Sequence, residues 1–95
     1  MKVITICGSM RFADAMKKIA WDLEYNKGCC VIQLVYNDGA EITEQGKVRL
    51  GETHFKKIEI CDAIYVVNIG GYIGESVEKE INFAKSIGKE IIYHE

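Results

Sequence analysis

Apolar residues fall into two alternating periods along this chain. Four runs read as strands: Lys2–Cys7, Cys29–Tyr36, Ala63–Ile69 and Glu90–His94. Three are rich in Val and Ile without polar alternation, the pattern of strands buried on both faces of a parallel sheet. Between them the spacing turns helical. The first helix is predicted from about Arg11 to Asn26, with Phe12, Met16, Ile19, Ala20 and Leu23 on one face and Gly28 as its stop signal. The second is predicted from about Gln45 to Ile60, with Val48, Phe55 and Ile58 as its stripe. The third starts near Ser76 as N-cap and ends at Gly88. The order β-α-β-α-β-α-β predicts an α/β fold: a doubly wound, flavodoxin-like or Rossmann-like three-layer sandwich around a four-stranded parallel sheet. Right-handed crossovers give strand order 2-1-3-4, with the switch point between strands one and three. With no proline, repeat or linker, the 95 residues form one domain, 1–95.

One residue breaks the pattern of the third helix. At ~100° per residue, Val77, Ile81, Phe83, Ala84 and Ile87 make an apolar arc roughly 160° wide. Glu80 falls near its middle, while Lys79, Asn82, Lys85 and Ser86 fall opposite. A carboxylate aimed at the core side is costly unless it borders a cavity or finds partners. Glu80 lies one turn inside the helix N-terminus, after a glycine-rich loop, where open α/β sheets bind ligands. The dipole of the helix explains the outward Glu78 better than it explains Glu80.

The loops after strands one and three complete the candidate site. After strand one, Gly8 permits a tight turn and close backbone approach, Ser9 can cap a helix or hold a ligand oxygen, and Arg11 can pair with phosphate or carboxylate. After strand three, Gly71, Tyr72, Gly74 and Ser76 belong to a loop able to wrap a flat ligand, or else to a turn with Tyr72 packed on it. Neither loop is a GxGxxG fingerprint or a P-loop, so nicotinamide dinucleotide and ATP hydrolysis are poorly supported. His54 points to the inner face of the second helix and can act as acid or base if it meets Glu80 across the pocket. The loop from Asn37 to Glu41 reads as an exposed rim, and His94 and Glu95 read as tail residues.

Net charge is -2 with no basic stripe, which argues against a nucleic-acid polymer as partner. No run approaches a membrane span, and MKVITICGSM is too short for a signal peptide. Cys7, Cys29, Cys30 and Cys61 lack CxxC spacing; they are expected to be small buried hydrophobes in a reducing cytoplasm, ahead of the alternatives of zinc ligands or disulfides, with no metal and no cofactor.

CGSMR after a first strand, the strand CDAIYVV, and a glycine loop leading into EINFAKSIGKEIIY together resemble the nucleoside 2-deoxyribosyltransferase superfamily. That superfamily includes the 2'-deoxynucleoside 5'-phosphate N-hydrolases, and the likeness is strongest to short bacterial and phage proteins. The resemblance implies that Glu80 is the nucleophile attacking the anomeric carbon of a nucleoside or its 5'-monophosphate. It implies that Gly8, Ser9 and Arg11 hold the sugar or 5'-phosphate end, and that the protein forms homodimers or higher homo-oligomers. His54 stands where the family carries a catalytic Asp, and Gly74 where it carries Ser or Asp. The same pocket without chemistry would make a nucleotide-binding module.

Overall fold

The computed structural model describes all 95 residues, Met1–Glu95. Its elements run β1 (Val3–Gly8), α1 (Ala13–Tyr25), β2 (Cys30–Ile32), α2 (Glu44–Glu59), β3 (Ala63–Val67), α3 (Glu75–Ser86) and β4 (Glu90–Tyr93), with single 3₁₀ turns at Met10–Phe12 and Ile69–Gly71. The strands form one parallel sheet in the order β2-β1-β3-β4. This is the predicted doubly wound topology, flavodoxin-like and Rossmann-like, with its switch point between β1 and β3.

Side chains leave alternate faces of each strand, and the core divides accordingly. Ile6 and Val67 pack with Met16 and Ala20 of α1 on one face. Cys7, Ile64 and Val66 pack with Ile58 of α2 and Val77, Ile81 and Ala84 of α3 on the other. Burying each large aliphatic side chain contributes roughly 1.5–3 kcal/mol, so these two clusters are the main support of the sandwich. Thr5, fully buried on the α2 face, donates its hydroxyl proton to the Lys57 carbonyl at 2.8 Å and ties β1 to α2. No helix is long and apolar enough to cross a membrane.

Four expectations need correction. Strand two is only Cys30–Ile32, because it sits at the sheet edge and pairs with β1 alone. Beyond it the chain leaves the ladder, and the Gln33 carbonyl accepts from Lys57 Nζ at 2.8 Å instead. Val48 is 60% exposed, since only the C-terminal half of α2, through His54 and Ile58, is buried. Of the cysteines, Cys7 and Cys61 are buried, whereas Cys29 is half-buried and Cys30 exposed on the edge strand; all four are free. The last two residues are not a loose tail. The His94 amide donates to the Val66 carbonyl, prolonging the β3–β4 ladder, and His94 Nδ1 meets the Tyr65 hydroxyl at 2.7 Å. Buried Asn68 then accepts from the Glu95 amide at 2.8 Å and donates to the Glu95 carbonyl at 3.3 Å.

Candidate functional site

The C-terminal ends of β1 and β3 face the start of α3 and the inner face of α2. Helix α3 begins two residues earlier than predicted: Gly74, in extended conformation, is its N-cap in place of Ser76, and Glu75 opens the helix. Ser76 is therefore not the cap but part of the first turn. One further turn along, Glu80 projects from the same helix as Val77, Ile81 and Ala84, all of which are buried. Its own side chain is 15% exposed. On α2, whose N-terminus is capped by Thr43 Oγ1 accepting from the Gly46 amide at 3.0 Å, His54 is buried one turn before Ile58.

The two side chains meet. His54 Nε2 lies 3.2 Å from Glu80 Oε1. The distance is that of an ion pair, but the alignment is poor: Glu80 Oε1 is buried and receives no hydrogen bond of good geometry. An unmatched buried oxygen costs about 1–3 kcal/mol, which a purely structural role does not explain. Between these groups and the chain following β2 opens a cleft of about 180 Å³, with Leu34, Val35, Leu50, Thr53 and Lys57 among its walls, joined by Met10 from the turn after β1 and Ser76 from α3. A second, wider groove of about 560 Å³ adjoins it, sharing Val35, Leu50, Thr53 and Lys57 and running out past Asn37 and Glu41.

A third group joins the pair. Cys7, at the end of β1 and fully buried, places Sγ 3.4 Å from His54 Nε2. Burial, and then the adjacent Glu80 carboxylate, push its thiol well above the ordinary value of 9.0, so it carries its proton at neutral pH. Cysteine spacing held no sign of this contact, because Cys7, His54 and Glu80 come from three separate elements and only the fold joins them.

The remaining site candidates lie elsewhere at the same end of the sheet, and none of them but Ser76 lines the cleft. Ser9 caps the 3₁₀ turn, its Oγ accepting from the Arg11 amide at 3.3 Å. The Arg11 guanidinium stacks 3.7 Å from the centre of the Tyr72 ring, which also meets Phe12 edge-on at 6.1 Å. Gly74 makes room for that ring, since a Cβ there would lie 3.3 Å from the Tyr72 hydroxyl. Tyr72 is thus packed on its own turn. Gly71 adopts φ +79, which the turn requires. The absent side chain of Gly8 serves packing: a Cβ there would lie 2.7 Å from Met16 Sδ and 3.2 Å from Val67 Cβ.

No family model matches this chain. No curated protein matches it in sequence. Among solved structures it is similar to a conserved protein from Enterococcus faecalis V583, with a TM-score of 0.63 at 16% identity over 98% of this chain. The chain spans 62% of the length of that protein. At this identity the likeness concerns the fold, an α/β sandwich on a four-stranded parallel sheet.

Proposed function

We propose that the protein cleaves or transfers the N-glycosidic bond of a deoxynucleoside or its 5'-monophosphate, with Glu80 as nucleophile. The observation that carries this reading is the buried Glu80 carboxylate, without an aligned hydrogen bond, 3.2 Å from His54 at the floor of a cleft beside the switch point. Retaining displacement at a sugar needs this combination: a carboxylate that attacks the anomeric carbon and a second group that manages the leaving base. The likeness of EINFAKSIGKEIIY to the nucleoside 2-deoxyribosyltransferases selects the same Glu80 from sequence alone.

In this scheme a Glu80 oxygen bonds to C1', and the electron pair of the C1'–N bond departs with the base. Protonated His54 gives its proton to that base. Water then attacks C1' while His54 takes up the water proton, and the sugar leaves Glu80 as a hemiacetal. If a second base attacks instead of water, the outcome is transfer. The apolar walls Leu34, Val35 and Leu50 suit a flat heterocycle. A 5'-phosphate would lie toward the turn after β1, where Ser9 and the exposed Arg11 stand.

The test is incubation with a panel of deoxynucleosides and their 5'-monophosphates, following free base by chromatography. Base release by the native protein that vanishes in Glu80→Ala supports the reading. Release at the native rate in that variant would exclude Glu80 as nucleophile. Calorimetric binding of an intact nucleotide with no release over a day would replace the enzyme by a binding module using the same pocket.

A further inference from the structure

We propose that Cys7 Sγ, His54 Nε2 and Glu80 Oε1 form a three-ligand site for Zn²⁺, with the fourth position open to the cleft. The three atoms lie within 4.8 Å of one another. The Sγ–Nε2 separation is 3.4 Å and the Nε2–Oε1 separation 3.2 Å. Tetrahedral zinc, with bonds of about 2.0–2.1 Å to nitrogen and oxygen and about 2.3 Å to sulfur, holds its ligand atoms about 3.3–3.6 Å apart. The two short edges lie within about 0.2 Å of those of such a tetrahedron, while the edge between Cys7 Sγ and the Glu80 carboxylate, bounded by 4.8 Å, shortens as the Glu80 side chain turns onto the ion.

The chemistry of the donors agrees. One sulfur, one imidazole nitrogen and one carboxylate oxygen suit zinc better than magnesium or calcium, which prefer oxygen alone. Three protein ligands with a vacant fourth position match zinc sites that keep a place for water or substrate. His54 and Glu80 line the cleft and give the ion its entry, while Cys7 sits behind them with no exposed surface. Each donor stands on an element fixed by the core: Cys7 within the packed cluster, His54 one turn before Ile58, and Glu80 one residue before Ile81. The ion would also supply the buried Glu80 oxygen with the partner it lacks. The metal-free and zinc-bound proteins are two states of one site: free Glu80 and His54 serve the glycosidase reading, and an ion held by both withdraws them from catalysis, so zinc inhibits base release.

Binding forms three bonds to the ion and breaks one S–H bond, whose proton leaves to solvent. The experiment titrates chelator-treated native protein with Co²⁺, then displaces it with Zn²⁺. The expected result is a thiolate-to-cobalt charge-transfer band that saturates at one ion per chain and bleaches as zinc enters. Zinc uptake in weak buffer releases at least one proton per ion. Cys7→Ser abolishes the band, whereas Cys30→Ser, which changes an exposed thiol, retains it. Glu80→Gln, which keeps the shape of the side chain, weakens zinc binding by more than about 100-fold, beyond the loss that an outer supporting contact causes. The proposal is overturned if native protein shows no band and no proton release, or if the band survives Cys7→Ser and follows Cys30. None of these readouts depends on base release, so failure of the metal site and failure of the glycosidase reading are seen separately.

Discussion

Glu80→Met separates a carboxylate kept for chemistry from one kept for stability. The substitution preserves length and helix preference while removing the charge. In the native fold the Glu80 side chain is 15% exposed, and Oε1 has no aligned donor. Relief of one unmatched buried oxygen is worth about 1–3 kcal/mol. Loss of the His54 contact offsets part of this, because its 3.2 Å approach is close but poorly directed. The net expectation is a gain of about 1 kcal/mol, within the usual scale of stability released when a strained functional site is given up. For a domain of this size 1 kcal/mol moves Tm by roughly 4–8 °C. Circular dichroism through thermal and urea unfolding, with the base-release assay alongside, gives both quantities on one preparation. The expected variant is more stable and inactive. A fall in Tm of similar size would show that the carboxylate supports the fold, and the argument from its burial to chemistry would fail.

Three other outcomes follow from the packing. Gly8→Ala drives a methyl group against Met16 and Val67, at 2.7 and 3.2 Å, and should cost about 1–3 kcal/mol in urea unfolding; a neutral result would return Gly8 to the role of ligand approach. The Cys7 thiol holds its proton more tightly folded than unfolded, so the native state binds more protons above pH 9.0 and stability declines as pH rises past that value. The slope attributable to Cys7 approaches 1.4 kcal/mol per pH unit and should be absent in Cys7→Ala; equal alkaline slopes in both proteins would refute it. Asn68→Ala removes both bonds to Glu95 and should speed amide hydrogen exchange at Glu95 and Gly70, whose amide donates to the Glu95 side chain at 2.9 Å, while leaving α2 unaffected.

The order of elements and the sheet topology were legible because a doubly wound fold writes itself in alternating periods. The inward position of Glu80 was legible for the same reason: Val77, Ile81 and Ala84 define the buried face of α3 without any tertiary knowledge. Strand two was overextended because apolarity reports burial, not pairing. Leu34 and Tyr36 pack against the α1 cluster after the ladder has ended, and Val35 turns to the cleft. Val48 misled in the same way, as helical spacing says which residues share a face but not how far a helix overhangs its sheet. Cys7 was hidden more deeply. Its meeting with His54 spans 47 residues, and no local pattern encodes such a contact.

The partial anchoring of α2 gives the two walls of the cleft unequal mechanical character. Its C-terminal half is pinned by buried Ile58, by the Thr5–Lys57 bond and by Lys57 Nζ reaching Gln33. Its N-terminal half carries exposed Val48 and Leu50 and has no buried residue before His54. Local opening is cheapest where apolar contacts are fewest. The arm that includes Leu50 is therefore the cheaper part of the cleft wall to open locally, and the α3 wall, held by buried Val77, Ile81 and Ala84, the costlier one. The cleft thus has one wall held loosely and one held by the core, and Glu80 stands on the second.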